Sequence, residues 1–300
     1  MDKSAGMTSH DLVDIVRKLY RTKRVGHTGT LDPDATGVMV LCLGKATRLA
    51  EYLAASRKRY VTEVQFGVQT STQDLSGETL ASCDASRLTE DNILSLLPQF
   101  RGSILQIPPM VSALHHKGKR LYELARQGIT VDRAPRPVEV FQFNLIAFTP
   151  GTEPVAKFEV LCSTGTYIRT LASDLGDAAG VGAAMKSLRR TWVGGDGVDG
   201  FTLEGAVTLD QLRNMSDERN LSDLLIPLTS GLIGWPKLHL TEEQAKEIGF
   251  GRAISAALFL GIEQLASPVG GCFALLDGAE NLLAIARLEG DLLSPEKVFV

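Results

Sequence analysis

The segment Gly26-His27-Thr28-Gly29-Thr30-Leu31-Asp32-Pro33-Asp34-Ala35-Thr36-Gly37 brings an imidazole, two carboxylates and three hydroxyls into one short span. Its three glycines allow a ligand to approach the backbone closely. Pro33 fixes its own φ and pushes Asp32 towards extended conformations. Asp32 is thus a carboxylate on a stiff loop, the kind of place from which side chains act on ligands. Asp34 is the rival carboxylate. The alternative is a polar turn in which Asp caps backbone amides, the commoner role for this composition. A phosphate-cradling loop of the form G-x-x-x-x-G-K-[ST] is excluded: Gly44-Lys45 is followed by Ala46, and Met39 stands where the first glycine is required.

Two further segments carry candidate chemistry. In Cys162-Ser163-Thr164-Gly165-Thr166-Tyr167-Ile168-Arg169-Thr170, Arg169 suits a carboxylate partner and Tyr167 suits a cleft wall, although an Arg at a helix start is more often a surface residue. In Arg57-Lys58-Arg59-Tyr60 an aromatic follows three cations, the combination that stacks a base beside its phosphates. A half-buried strand tyrosine is the plainer reading.

The elements that must position these residues follow from periodicity. Thr8 to Asp11 has capping-box spacing, and Leu12, Ile15, Val16, Leu19 and Tyr20 then recur at helical spacing. The glycine-rich segment after this helix is expected to be irregular through its middle. Tyr60, Thr62, Val64, Phe66 and Val68 alternate with polar residues, which predicts a strand. Helices are predicted over 90–97, ending before Pro98, and over 119–127, ended by Gly128. Phe158, Val160 and Cys162 predict a strand, Gly165 a turn, and Ile168, Leu171, Ala172 and Leu175 a helix. Thr241-x-x-Gln244 reads as a second capping box, and Asp277-Gly278 between two apolar runs as a hairpin. Strands and helices mix without a βα period, so the fold class is α+β. A composition shift at 224–236 marks off a small C-terminal domain.

Composition bounds the function class. The 300 residues are 44% hydrophobic and 22% charged, the balance of a soluble globular chain. The four cysteines are far apart with no C-x-x-C pair, against a zinc site or a disulfide framework. The first residues lack a basic stretch leading into an apolar one, and apolar stretches such as 253–262 fall short of the roughly 20 residues a membrane span needs. A cytoplasmic protein without membrane association is expected. The net charge of −4 argues mildly against nucleic acid, but the cations cluster at 17–24, 57–59, 117–120 and 189–190, while acids concentrate towards the C-terminus. These clusters are either a basic face or ordinary solvated surface.

Taken together, the motifs resemble those of the bacterial TruB-type tRNA pseudouridine-55 synthases. Gly26 to Gly37 is similar to the family's G-H-T-G-x-L-D-P-x-A-T-G signature. Asp2-Lys3 through Thr8-Ser9 resembles its opening D-K-P-x-G-x-T-S, Leu43 to Arg48 its L-G-x-A-T-[KR], and Lys58-Arg59-Tyr60 its K-x-Y. Gln106-Ile107-Pro108-Pro109-x-x-Ser112-Ala113 resembles its Q-x-P-P-x-x-S-A, and Cys162 to Leu171 and Leu188 to Thr191 match two further blocks. The matches run from residue 2 to about 194 in the family's order. The chain departs from the pattern at Ser4 (usually Pro), at Asp34 (usually apolar) and at Ala184 (often His nearby). Asp34 would put a second negative charge near Asp32, a change that raises a carboxyl's pKa.

The resemblance implies a mixed-sheet pseudouridine-synthase catalytic domain over residues 1–230 and a small PUA-like, β-rich domain over 236–300. It implies isomerisation of a uridine in the T arm of tRNA, position 55, with Asp32 as the catalytic carboxylate, acting as nucleophile or as base. Tyr60 would stack on the flipped base, Arg169 would pair with Asp32 and keep it ionised, Tyr167 and Leu188 would wall the pocket, and His27 would hold the displaced strand. The reaction implies no cofactor and no metal. The partner would be the T stem-loop of tRNA, contacted by the basic clusters, with no obligate protein partner and a monomeric enzyme. One rival reading is a tRNA-binding chaperone without catalysis. Another is a hydrolase using Asp32 and Asp34 as an acid/base pair, which leaves the neighbouring motifs unexplained.

Overall fold

The structure, a computed structural model, describes residues 1–116, 118–195, 199–217, 221–232, 234–259, 261 and 271–299. In chain order the first elements are β1 (Asp2–Lys3), α1 (Ser9–Leu19), β2 (Val25–His27), β3 (Thr36–Val38), β4 (Leu41–Leu43), α2 (Ala50–Ala54), β5 (Arg57–Phe66), β6 (Val68–Thr70) and β7 (Thr79–Ser82). Next come α3 (Glu90–Leu96), β8 (Gly102–Gln106), β9 (His115–His116), β10 (Lys119–Arg120), α4 (Leu121–Arg126), β11 (Arg136–Thr149), β12 (Val155–Cys162), α5 (Ile168–Ala178) and β13 (Ala183–Gly194). The last are β14 (Gly200–Thr202), α6 (Leu209–Asp217), β15 (Lys237–His239), α7 (Glu242–Gly249), β16 (Ile254–Ser255), β17 (Cys272–Leu276), β18 (Leu282–Glu289) and β19 (Leu292–Val298).

The chain forms two compact units. One comprises Met1–Pro33, Val38–Ser56 and Val193–Val300, the other Asp34–Gly37 and Arg57–Trp192. The second unit is built on a mixed sheet in the order β3-β13-β5-β12-β11-β8. β3 runs parallel to β13, and β5, β12, β11 and β8 pair antiparallel. Along β5 the side chains alternate as the sequence predicts, with Lys58, Tyr60, Thr62, Val64 and Phe66 buried. The strand differs from the prediction at both ends. It begins at Arg57, and it stops at Phe66 because Gly67 takes φ +86, so Val68 opens the separate strand β6. Phe66, Phe143 and Phe158 are fully buried, each contributing about 2–3 kcal/mol by area.

In the first unit, α1 carries both halves of its capping box: Asp11 N–H donates to Thr8 Oγ1 at 3.1 Å and Thr8 N–H to Asp11 Oδ2 at 2.8 Å. Its buried face, Leu12, Val13 and Val16, packs on Val25, Met39 and Leu212. The C-terminal sheet has the order β15-β17-β18-β19-β16. Every residue of β17 is buried. Cys272, Ala274 and Leu276 join one core with Val38, Leu49 and Leu53, while Phe273 and Leu275 join another with Leu238, Ile248 and Ile254. Cover on both faces explains the unbroken apolar run. The observed mixture matches the α+β expectation, β-rich C-terminal portion included.

Several boundaries shift for local reasons. The helix expected over 119–127 begins at Leu121, because Lys119 and Arg120 pair with His116 and His115 as strands. The helix expected over 90–97 ends at Leu96, and Pro98 sits inside the 3-10 turn that follows. Thr241 caps α7 as its sequence pattern predicts. Between β17 and β18 the turn runs over five residues. Asp277 Oδ1 accepts from Ala279 and Asn281 N–H, both at 2.9 Å, and positive φ falls on Glu280 instead of Gly278.

Candidate functional site

The loop that carries Asp32 leaves β2, which pairs antiparallel with β4 through Val25↔Leu43, Gly26↔Cys42 and His27↔Leu41. The segment between His27 and Thr36 has no regular structure, so its backbone groups need other partners. Ser9, on the first turn of α1, supplies two. Its Oγ accepts from Leu31 N–H at 2.8 Å and donates to Leu31 O at 2.9 Å, and both residues are buried. On the other side of Asp32, Pro33 O accepts from Gly6 N–H at 3.1 Å and from Lys3 Nζ at 2.8 Å. Lys3 is buried, an unusual place for an ammonium, and also donates to Ser4 O. Both peptide neighbours of the half-buried Asp32 are therefore fixed. His27 is half-buried in the same segment, its Nδ1 accepting from Gly29 N–H at 3.3 Å. Asp34 is exposed.

The remaining candidate residues lie in the second unit. Tyr60 is buried on β5, on the same face as Lys58 and Thr62. Thr62 Oγ1 donates to Ser187 O at 2.8 Å on the adjacent strand β13, where Leu188 follows half-buried. Tyr167 is the extended N-cap residue of α5, and Arg169 lies in that helix's first turn. The Arg169 guanidinium is buried and held from two sides: Nη1 donates to Thr72 O at 3.0 Å and Nη2 to Val111 O at 2.8 Å. Asp74 Oδ2 lies 3.6 Å from Nη1. The other Asp74 oxygen, Oδ1, accepts from Thr72 Oγ1 at 2.7 Å and from Ser76 N–H at 3.1 Å. A knot of short polar side chains thus aims one Asp74 oxygen at the guanidinium.

Lys58 is also buried, and burial first, then the Arg190 guanidinium, pushes its ammonium pKa down to about 8. On α5, burial and the neighbouring Asp177 push Asp174 up to about 6. In the first unit, Arg24, Gly44, Lys45, Thr47 and Arg48 line a cavity of about 460 Å³ with no carboxylate in its wall. Among the described residues neither Arg24 nor Lys45 forms an ion pair, and Arg48 donates to Val298 O. Arg17, in the same basic cluster, is occupied internally by Asp14 Oδ1 at 2.9 Å and Val25 O at 3.1 Å. Lys117 of the 117–120 cluster lies outside the described residues. Among the described residues no three His, Cys, Asp or Glu side chains converge so as to hold a metal ion, and no helix is long and apolar enough to cross a membrane.

Sequence reasoning missed Asp74, Ser9 and Lys3 as supports of the site. Asp74 sits in Thr70-Ser-Thr-Gln-Asp-Leu-Ser-Gly77, which reads as an ordinary turn. Ser9 and Lys3 stand in the opening motif, but nothing local shows that they reach residues 31 and 33.

A chain in a crystal structure of a Cbf5-Nop10-Gar1 complex has this fold: 83% of it aligns with the whole length of the present chain, at 25% identity and TM-score 0.72. Family models match consecutively, the TruB family pseudouridylate synthase (N terminal domain) over residues 17–168 and the tRNA pseudouridylate synthase B C-terminal domain over 169–233. The chain belongs to the TruB family of pseudouridine synthases, which are isomerases. It is 39% identical to the tRNA pseudouridine synthase B of Haemophilus influenzae (strain 86-028NP), over 99% of this chain and 93% of that one. It is 52% identical to that of Symbiobacterium thermophilum, over 70% of this chain and 69% of that one.

Proposed function

We propose that this chain converts a uridine in the T arm of tRNA to pseudouridine, with Asp32 as its catalytic carboxylate. The observation that carries the reading is the double anchoring of the Asp32 loop, which holds the residues before and after the carboxylate by bonds to the buried side chains of Ser9 and Lys3. A group that must meet one carbon of a ribose benefits from such fixing, because positioning alone is worth several kcal/mol of a barrier. The tRNA substrate is the one that the names of the bacterial relatives state.

The reaction breaks the N1–C1′ bond, turns the base and joins C5 to C1′, with loss of the C5 proton and gain of one at N1. The uridine must first leave its stack, at a cost of about a few kcal/mol. Tyr60 stacks on the flipped base. Tyr167 and Leu188 wall the pocket, and His27 holds the displaced strand. Arg169 pairs with Asp32 and keeps it ionised, itself aimed by Asp74 and the carbonyls of Thr72 and Val111. The chemistry needs neither cofactor nor metal. The carboxylate-free cavity of Arg24, Lys45 and Arg48 supports contact with RNA phosphates. The β-rich C-terminal portion serves as a PUA-like RNA-contacting domain, and the enzyme acts as a cytoplasmic monomer.

The test is to treat a tRNA transcript with the protein and map pseudouridine by carbodiimide adduct and primer extension. A single stop in the T loop is expected, and it disappears when that uridine is replaced by cytidine. Modification elsewhere, with the T loop untouched, refutes the T-arm assignment.

A further inference from the structure

Gln106 is the last residue of β8 and is 1% exposed. Its Nε2 donates to Tyr167 O at 3.2 Å, and its Oε1 accepts from Tyr167 N–H at 3.0 Å. One side chain thus engages both backbone groups of one residue, as a neighbouring strand would. Tyr167 lacks a side-chain cap bond and holds φ −96 and ψ 108, outside the helix that follows. Its carbonyl also accepts the first helical bond, from Leu171 N–H at 3.0 Å. The amide therefore sets where α5 begins. A change in Tyr167 ψ would swing the first turn of the helix, where Arg169 stands two residues on. Five residues beyond Gln106 the same segment reaches Arg169 directly, through Val111 O at 2.8 Å.

We propose that Gln106 is a positioning residue for the reaction, one that fixes the direction of the Tyr167 ring and of the Arg169 side chain through the Tyr167 backbone. The assignment rests on the functional reading above. An amide is required because it presents one donor and one acceptor in a fixed plane. Methionine has the shape without either. A glutamic acid matches the pair only while protonated; ionised, one oxygen still accepts from Tyr167 N–H but the other sets an acceptor against the Tyr167 carbonyl where the donor is needed. Burial raises the pKa of such a carboxyl.

The experiment compares wild type, Gln106→Met and Gln106→Glu in single-turnover tritium release from T-arm RNA labelled at uridine C5. Rates are expressed per folded molecule and followed from about pH 5.5 to about pH 8.5, where a buried glutamic acid titrates. Gln106→Met is expected to lose on the order of 100-fold in rate at every pH while RNA affinity stays within about threefold. Gln106→Glu is expected to share that loss at the alkaline end and to regain about tenfold or more at the acid end, a recovery absent from wild type. Should Gln106→Met not fold, the Gln106→Glu profile decides alone. Wild-type rates in folded Gln106→Met, or in folded Gln106→Glu at the alkaline end, or a Gln106→Glu profile parallel to wild type, overturn the assignment. A wild type that releases no tritium overturns the functional reading itself, and this assignment with it.

Discussion

Ser9→Ala removes the hydroxyl that serves both backbone groups of Leu31, the residue before Asp32. Ser9 and Leu31 are each 3% exposed, so water cannot replace the lost partner without opening the loop. An orphaned buried N–H or C=O costs about 1–3 kcal/mol, which puts the expected loss near 3 kcal/mol for the two together. The Pro33 carbonyl keeps its bonds to Lys3 and Gly6, so the loop is released on the Leu31 side only. Part of the cost should therefore appear as displacement of Asp32 and a fall of about 10–100-fold in single-turnover rate. Thr8→Ala is the control. It removes the cap of the same helix, worth about 1 kcal/mol, but the Thr8 hydroxyl bonds only to Asp11 and not to the loop. Urea denaturation gives the stabilities, and tritium release from saturating T-arm RNA gives the rates. Ser9→Ala should lose both stability and rate, and Thr8→Ala stability alone. A Ser9→Ala protein within about 0.5 kcal/mol of wild type and unchanged in rate refutes the anchoring argument.

Three further outcomes follow from other parts of the structure. Lys58 has a pKa near 8 when folded against an ordinary 10.5, so below pH 8 both states carry the proton and the folded chain bears the full cost of the buried charge. Wild-type stability should rise as pH climbs from 8 to 10.5, and Lys58→Met should stabilise by up to about 3 kcal/mol near neutrality, with the gain shrinking over that window; a gain that does not change with pH contradicts this. Lys45→Ala opens a gap in the carboxylate-free cavity; it should weaken RNA binding and flatten the slope of log K against log salt by about one phosphate contact, and an unchanged slope in filter binding rules the contact out. Gly37 takes φ +107, and a β-carbon there would meet the Arg190 backbone across the β3–β13 pairing, so Gly37→Ala should cost about 3 kcal/mol or more in denaturant, where near-wild-type stability would show that the pairing gives way easily.

What the sequence made legible was local. The caps Thr8 and Thr241 depend on contacts three residues away, and both helices begin where the pattern places them. The buried face of β5 depends on a period of two, and that too was readable. The ends of β5 were not, because Gly67 was inside the alternation and only its positive φ stops the strand. The turn after β17 misled in the same way: Asp277-Gly278 suggested a tight hairpin, but the Asp277 carboxylate organises a longer loop. At the site, Asp32 and Arg169 stood out by residue type and motif. Their supports did not, since Lys3 reaches Pro33 across 30 residues and Arg169 reaches Thr72 across 97. Contacts of that range leave no periodic trace. A buried lysine such as Lys3 or Lys58 is, by charge alone, indistinguishable from a solvated one. The roles given to Tyr60, Tyr167, Leu188 and His27 came from the family's motifs and not from spacing.

The central claim is that Asp32 performs the isomerisation, and tritium release from a tRNA transcript labelled at uridine C5 tests it most directly, with wild type and Asp32→Asn side by side. Asn keeps the shape and the anchored backbone of the loop but cannot act as nucleophile or base. The C5 proton is lost only when the base is reattached through that carbon. Release by wild type of one equivalent per tRNA, with none from an Asp32→Asn protein that still binds the transcript, is the predicted result; substantial release by Asp32→Asn, or none by a wild type that binds, contradicts it.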